Sequence, residues 1–167
     1  MSQALIAPAR RGHLVHGEEP PEHAAEFVTM TVADQGFGIL VGQVHDVLSH
    51  HRLTRIPLAP PEVAGSLNLR GRIVTAIDVR RRLDLEPRPA GMGQMSIVVD
   101  HGGEPYSLLV DSVGDVVRLP LAGLEPNPAT LNRQWRDVSA GIYRLDQTLL
   151  VVLDVANLLN IPTRVAA

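Results

Sequence analysis

The side chains available for chemistry are arginines, carboxylates and histidines. The 167-residue chain has no cysteine, and its 15 Lys+Arg residues are all arginine. That excludes thiol nucleophiles, disulfides and thiolate metal ligands, and likewise lysine Schiff bases and a phosphate-loop lysine. Arg70 stands beside Gly71 between two apolar runs, where a planar guanidinium with several donors could contact a partner. Asp78 and Asp154 each end an apolar run and could form an acid–base carboxylate pair, but their position before short helical stretches suits N-capping better. His45, His50 and His51, with His13, His16 and His23 nearer the start, have no cysteine or carboxylate cluster beside them, so no metal site is expected. Arg80-Arg81-Arg82, near Arg70, Arg72 and Arg88, has the look of a phosphate-binding patch. A net charge of −3 and 3% aromatic residues oppose nucleic-acid binding, so this run is read as the solvated face of a helical turn. No Gly-x-Ser-x-Gly, phosphate loop or dinucleotide fingerprint occurs, and neither catalytic residues nor a cofactor are expected.

The elements that must position Arg70 are strands. Residues 1–25 mix Pro, His, Glu and Ala without a period and read as a mobile tail. Alternating, β-branched sequence begins at Phe27–Val32, and a turn at Gln35-Gly36 returns the chain as Phe37–Val41. Val44–Leu48 and Leu53–Ile56 follow, ended by Pro57, Pro60 and Pro61. Strands resume at Met95–Val99, Tyr106–Val110 and Val113–Leu119, and a short helix is expected at 155–159. No segment resembles a signal peptide or a membrane helix, which leads to the expectation of a cytoplasmic protein without membrane insertion.

The chain repeats itself. Ile39-Leu40-Val41-Gly42-Gln43-Val44-His45-Asp46-Val47 matches Leu108-Leu109-Val110-Asp111-Ser112-Val113-Gly114-Asp115-Val116, 69 residues on. Ile73-Val74-Thr75-Ala76-Ile77-Asp78-Val79 matches Leu149-Leu150-Val151-Val152-Leu153-Asp154-Val155, 76 residues on. Two matches in one order argue for duplication, and short strands with frequent turns predict an all-β pair of small barrels. The duplication also isolates Arg70. Arg70-Gly71 aligns with Asp146-Gln147, so the fold does not require an arginine at that turn, whereas Gly71 suits a turn that needs positive φ.

Thr54-Arg55-Ile56-Pro57, then Gly65, Asn68-Leu69-Arg70-Gly71-Arg72-Ile73-Val74 and Ile77-Asp78-Val79-Arg80, resemble the signature of CheW-type chemotaxis coupling proteins. Leu109 to Val116 is similar to that family's second marker, and Gly141 with Leu149–Asp154 to its third. The resemblance implies two five-stranded SH3-like barrels with exchanged strands and separate cores. It places one barrel at about 27–69 plus 142–155 and the other at about 72–119, within a domain spanning 26–160 and followed by a tail at 161–167. It further implies a non-catalytic scaffold that links chemoreceptor cytoplasmic tips to the regulatory domain of a CheA histidine kinase, recruited to receptor arrays and associating with other CheW-like domains. By the same resemblance a receptor-binding groove would include Val41, Val44, Asp46, Gly65 and Arg70, with Asp46 orienting Arg70, and a kinase-binding surface would lie around Met95, Val99 and Val113. Ser66 and Thr75 depart from the family pattern. The alternative from another class is a small β-barrel that binds RNA, which acidity and scarce aromatics oppose.

Overall fold

The computed structural model describes residues 23–49 and 51–161. Its elements are β1 (Ala24–Val32), β2 (Gln35–Leu40), β3 (Val44–Leu48), β4 (Val63–Leu69), β5 (Arg72–Asp78), α1 (Val79–Arg82), β6 (Met95–His101), β7 (Glu104–Val110), β8 (Ser112–Pro120), α2 (Arg133–Val138), β9 (Ser139–Leu145), β10 (Thr148–Leu153) and α3 (Val155–Leu159). They build two five-stranded sheets, ordered β8-β1-β2-β10-β9 and β3-β6-β7-β5-β4. Each sheet forms an SH3-like barrel that its edge strands leave open, so the all-β expectation holds. Most neighbours are antiparallel, but β10 runs parallel to β2 and β5 runs parallel to β7. Those two parallel pairs are the strand exchanges expected for the segments at 73–79 and 149–155.

The exchange goes further than expected. Each repeat gives its first hairpin to one sheet and its last three strands to the other, so β3 and β4 lie in the second sheet and β8 in the first. The division at 27–69 and 72–119 therefore does not match the hydrogen bonding. A repeat cannot reveal this, because equivalent strands from either copy satisfy the same ladder. The chain changes sheets at a 3-10 turn, Val41–Gln43, and again at Asp111, the single residue between β7 and β8.

Burial follows the same logic. One barrel core holds Phe27, Val117, Tyr143, Leu150 and Val152, and the other Leu67, Val74, Ala76 and Leu109. A third and larger cluster, including Met30, Phe37, Ile39, Ile97, Val99, Leu108, Val151 and Leu153, lies between the sheets. Separate cores were expected; the main core is shared. In β10, Leu150 and Val152 face the barrel while Val151 and Leu153 face the other sheet. Such strands are buried on both faces, so their sequence is continuously apolar rather than alternating.

Local chemistry sets the ends of the elements. Asp78 accepts from the Arg81 N–H at 3.3 Å and Asp154 from the Asn157 N–H at 3.1 Å, so both are N-caps. The first hairpin turns at Ala33-Asp34 rather than Gln35-Gly36, with φ of +49° and +64°. Of the expected strand at 53–56, only a bridge from Thr54 to Ser66 forms, because the prolines that follow supply no ladder donors. Most of the expected N-terminal tail lies outside the described residues, as do His50 and residues 162–167; β1 already includes Ala24 and Ala25.

Candidate functional site

Arg70 lies in the two-residue turn between β4 and β5, where Leu69 pairs with Arg72. Both turn residues have positive φ, +51° at Arg70 and +83° at Gly71, the type I′ pattern that matches strand twist. Asn68 secures it, its Oδ1 accepting from the Gly71 N–H at 2.9 Å. A non-glycine residue in this conformation is uncommon, and glycine or asparagine would sit there more easily. In the other copy, Asp146 and Gln147 are not among the residues with positive φ. An arginine at this strained tip, where the duplicate carries none, is not explained by the needs of the turn.

Arg70 Nη2 donates to Asp46 Oδ2 at 3.2 Å. Asp46 lies on β3 and Arg70 at the end of β4, the two edges of the second sheet, so the pair spans its open seam. The Arg70 side chain is 83% exposed and that of Asp46 27%. A pair so open to solvent stabilises by about 0–1 kcal/mol. Its effect is to orient a guanidinium whose remaining donors face water. Ile73, opposite Asn68 in the hairpin, is 69% exposed, and Val47, next to Asp46, is exposed as well. A cation flanked by apolar surface suits partner recognition more than chemistry.

The other expected groove residues have different surroundings. Val41, in the 3-10 turn, and Val44, at the start of β3, are half-buried against the shared core. Gly65 is buried at φ +151°, and a Cβ there would meet the Thr54 carbonyl oxygen at 2.6 Å. Gly141 repeats this against Glu125 at 2.7 Å, so Gly65 is explained by backbone approach in both copies. On the expected kinase-binding surface, Met95 and Val113 are half-buried against the shared core. Val99 is fully buried, paired with Val44, and offers no surface. The cause is simple: β6 is not an edge strand, and its Ile97 and Val99 face the other barrel.

The arginine run is three separate devices. Arg81 is exposed, as a solvated face would be. Arg82 donates to the Leu158 and Asn157 carbonyls at 2.8 and 3.0 Å, capping the C-terminal end of α3. Arg80 is buried, contrary to the sequence reading. Its Nε and Nη2 donate to Asp111 Oδ1 and Oδ2 at 2.9 and 2.7 Å, and Asp111 Oδ2 accepts from the Ala33 N–H at 2.8 Å. The hydrogen bonds to Asp111 raise the Arg80 pKa against the lowering effect of burial. One carboxylate thus ties a sheet crossover, the β1–β2 turn and α1. The missed signal lay in the repeat, where the positions aligned with Arg80 and Asp111 are Ala156 and Gly42. His45 contacts Asp100, and among the described residues no group of three or more His, Cys, Asp or Glu could hold a metal. No helix among them is long and apolar enough to cross a membrane.

Comparison with known proteins agrees with this architecture. The family model for the CheW-like domain matches residues 26–162. Chemotaxis protein CheW of Klebsiella aerogenes is 27% identical over 135 residues, covering 81% of each chain. The CheW of Rhizobium meliloti is 24% identical over 155 residues, covering 93% of this chain and 96% of that one. The crystal structure of the scaffolding protein TtCheW from Thermoanaerobacter tengcongensis superimposes with a TM-score of 0.74 at 26% identity, covering 82% of this chain and 93% of that one. With two exchanged five-stranded barrels and a family match across nearly all described residues, the chain belongs to the CheW-like domain family of non-catalytic chemotaxis scaffolds.

Proposed function

We propose that this protein couples the cytoplasmic tips of chemoreceptors to the regulatory domain of a CheA-type histidine kinase, working in the cytoplasm at membrane-associated receptor arrays. The observation that carries the reading is Arg70, held at positive φ on a hairpin tip and aimed by Asp46 while most of its surface remains in water. In this reading Val41 and Val44 border an aliphatic groove for the apolar face of a receptor helix, Gly65 lets the backbone close beneath it, and Arg70 with Asp46 sets the register. The kinase contacts the half-buried Met95 and Val113, with Val99 supporting them from inside. Other CheW-like domains associate through related barrels.

The test is co-sedimentation of the Arg70→Ala variant with receptor membranes and the kinase. A side chain that anchors docking should reduce recruitment by about 30-fold or more, the equivalent of about 2 kcal/mol, while the melting temperature changes by only a few degrees. Recruitment equal to that of the parent protein sinks the docking role, and a large loss of stability makes Arg70 structural.

A further inference from the structure

The buried Arg80 guanidinium has an acceptor for each of the five N–H donors such a group carries. Nε and Nη2 meet Asp111 Oδ1 and Oδ2 at 2.9 and 2.7 Å. Nη1 meets the Glu86 and Pro87 carbonyls at 2.9 and 3.5 Å, and the remaining N–H of Nη2 meets Met92 Sδ at 3.8 Å. Glu86, Pro87 and Met92 all belong to the connection between α1 and β6, which thereby closes over the ion pair. The sulfur is the weak member of the set, because a thioether is a poor acceptor.

The backbone around Met92 is held. Pro89-Ala90-Gly91-Met92 is a turn closed by the Met92 N–H, which donates to the Pro89 carbonyl at 3.2 Å. Gly91 has φ +81°, the value a type II turn requires at its third position. The Met92 carbonyl in turn accepts from Arg88 Nη1. The residue nevertheless stands at the surface, 37% exposed. Met30 is 0% exposed, and Met95 is half-buried against the shared core. Among the described methionines, the one most open to solvent is therefore the one that touches a buried cation.

We infer that Met92 is a site of reversible oxidation by peroxide, and that its sulfoxide fastens this loop to Arg80. A sulfur lone pair attacks one oxygen of hydrogen peroxide and the O–O bond breaks. The departing hydroxide takes the proton of the transferred oxygen and leaves as water, so the thioether is oxidised to the sulfoxide and the peroxide is reduced. The lone pair toward Nη2 is covered by the guanidinium, and attack comes from the solvent side. Rotation about Cγ–Sδ, easy in an unbranched side chain, then turns the new oxygen toward Nη2 while the sulfur stays in place. With an S–O bond of about 1.5 Å and an S–O···N angle of about 120°, a sulfur 3.8 Å from Nη2 puts that oxygen at about 2.8 Å, the length of a charge-assisted hydrogen bond. Oxidising a core methionine disrupts packing. Here it exchanges the weakest acceptor around Arg80 for a strong one, and thiol-dependent methionine sulfoxide reductases reverse it.

The test treats the isotope-labelled full chain with hydrogen peroxide and follows each methionine by peptide mass mapping. Met92 should oxidise about ten-fold or more faster than Met30 and Met95. Hydrogen exchange of the Met92 amide and of the Arg80 Nε–H then reports opening of the loop, and both should slow by about five-fold in the oxidised chain. Treatment with a methionine sulfoxide reductase and dithiothreitol should restore the parent rates. Met92→Leu, which offers no acceptor, should exchange faster than the parent and show no change at these sites with peroxide. Met92→Gln, which supplies an amide oxygen, should exchange more slowly than the parent without peroxide. The inference is overturned if Met30 or Met95 oxidises as fast as Met92, or if oxidation leaves exchange at Arg80 unchanged or speeds it. A slowing that survives in Met92→Leu overturns it as well, since the effect would then arise at another methionine.

Discussion

Removing Asp111 should destabilise this fold more than any change at its exposed ion pairs. In Asp111→Ala the Arg80 guanidinium loses bonds of 2.9 and 2.7 Å at a site where the two side chains are 9% and 5% exposed. An uncompensated buried charge costs about 3–5 kcal/mol. The Ala33 N–H, which donates to the same carboxylate at 2.8 Å, is orphaned as well, at about 1–3 kcal/mol if it stays dry. Arg80 keeps its bond to the Glu86 carbonyl at 2.9 Å, which moderates the sum, so the expected loss is about 4 kcal/mol. Domains of this kind have about 5–15 kcal/mol in total, so the variant should still fold but unfold at far lower urea. Replacing both residues, as Arg80→Met with Asp111→Leu, removes the charge together with its partner and should cost much less than the two single changes combined. Equilibrium urea unfolding of the parent, both single variants and the double variant measures the coupling directly. A cost below about 1 kcal/mol for Asp111→Ala, or additive single effects, would refute the idea that this pair pins the crossover between sheets.

At the hairpin tip, Arg70→Gly removes a weak surface pair and relieves a positive φ, so thermal unfolding should show a change within about 1 kcal/mol of zero. Gly65→Ala and Gly141→Ala should each cost more than about 2 kcal/mol in urea unfolding, because the added Cβ would meet a backbone oxygen at 2.6 or 2.7 Å. Tyr143 is buried with its hydroxyl unpartnered among the described residues, and burial raises its pKa. The folded state therefore favours the neutral phenol. That stabilisation is complete below the unfolded value of about 10 and is lost as pH rises toward the higher folded pKa. Tyr143→Phe should be neutral or stabilising near pH 7 and should flatten the alkaline fall, as read from melting temperatures across pH 7 to about 11.

Sequence alone determined most of the elements and their duplication. Strand positions, the N-caps at Asp78 and Asp154, the aligned glycines and the exceptional arginine at position 70 all depend on short-range chemistry, which acts within a few residues. The pairing of Arg70 with Asp46 was also foreseeable, because the repeat marks one position and the family resemblance the other. Tertiary structure decided what lies far apart in the chain. It assigned three strands of each repeat to the opposite sheet, a choice invisible in a duplication whose strands are interchangeable. It turned Val99 inward, because a strand that is not at the edge of its sheet and faces a second sheet has no outer surface there. It also made Arg80 a buried partner of Asp111, while Arg81 faces solvent and Arg82 caps a helix. Three identical side chains in a row carry the same local signal, and only the positions of residues 31 and 76 farther along the chain separate their roles.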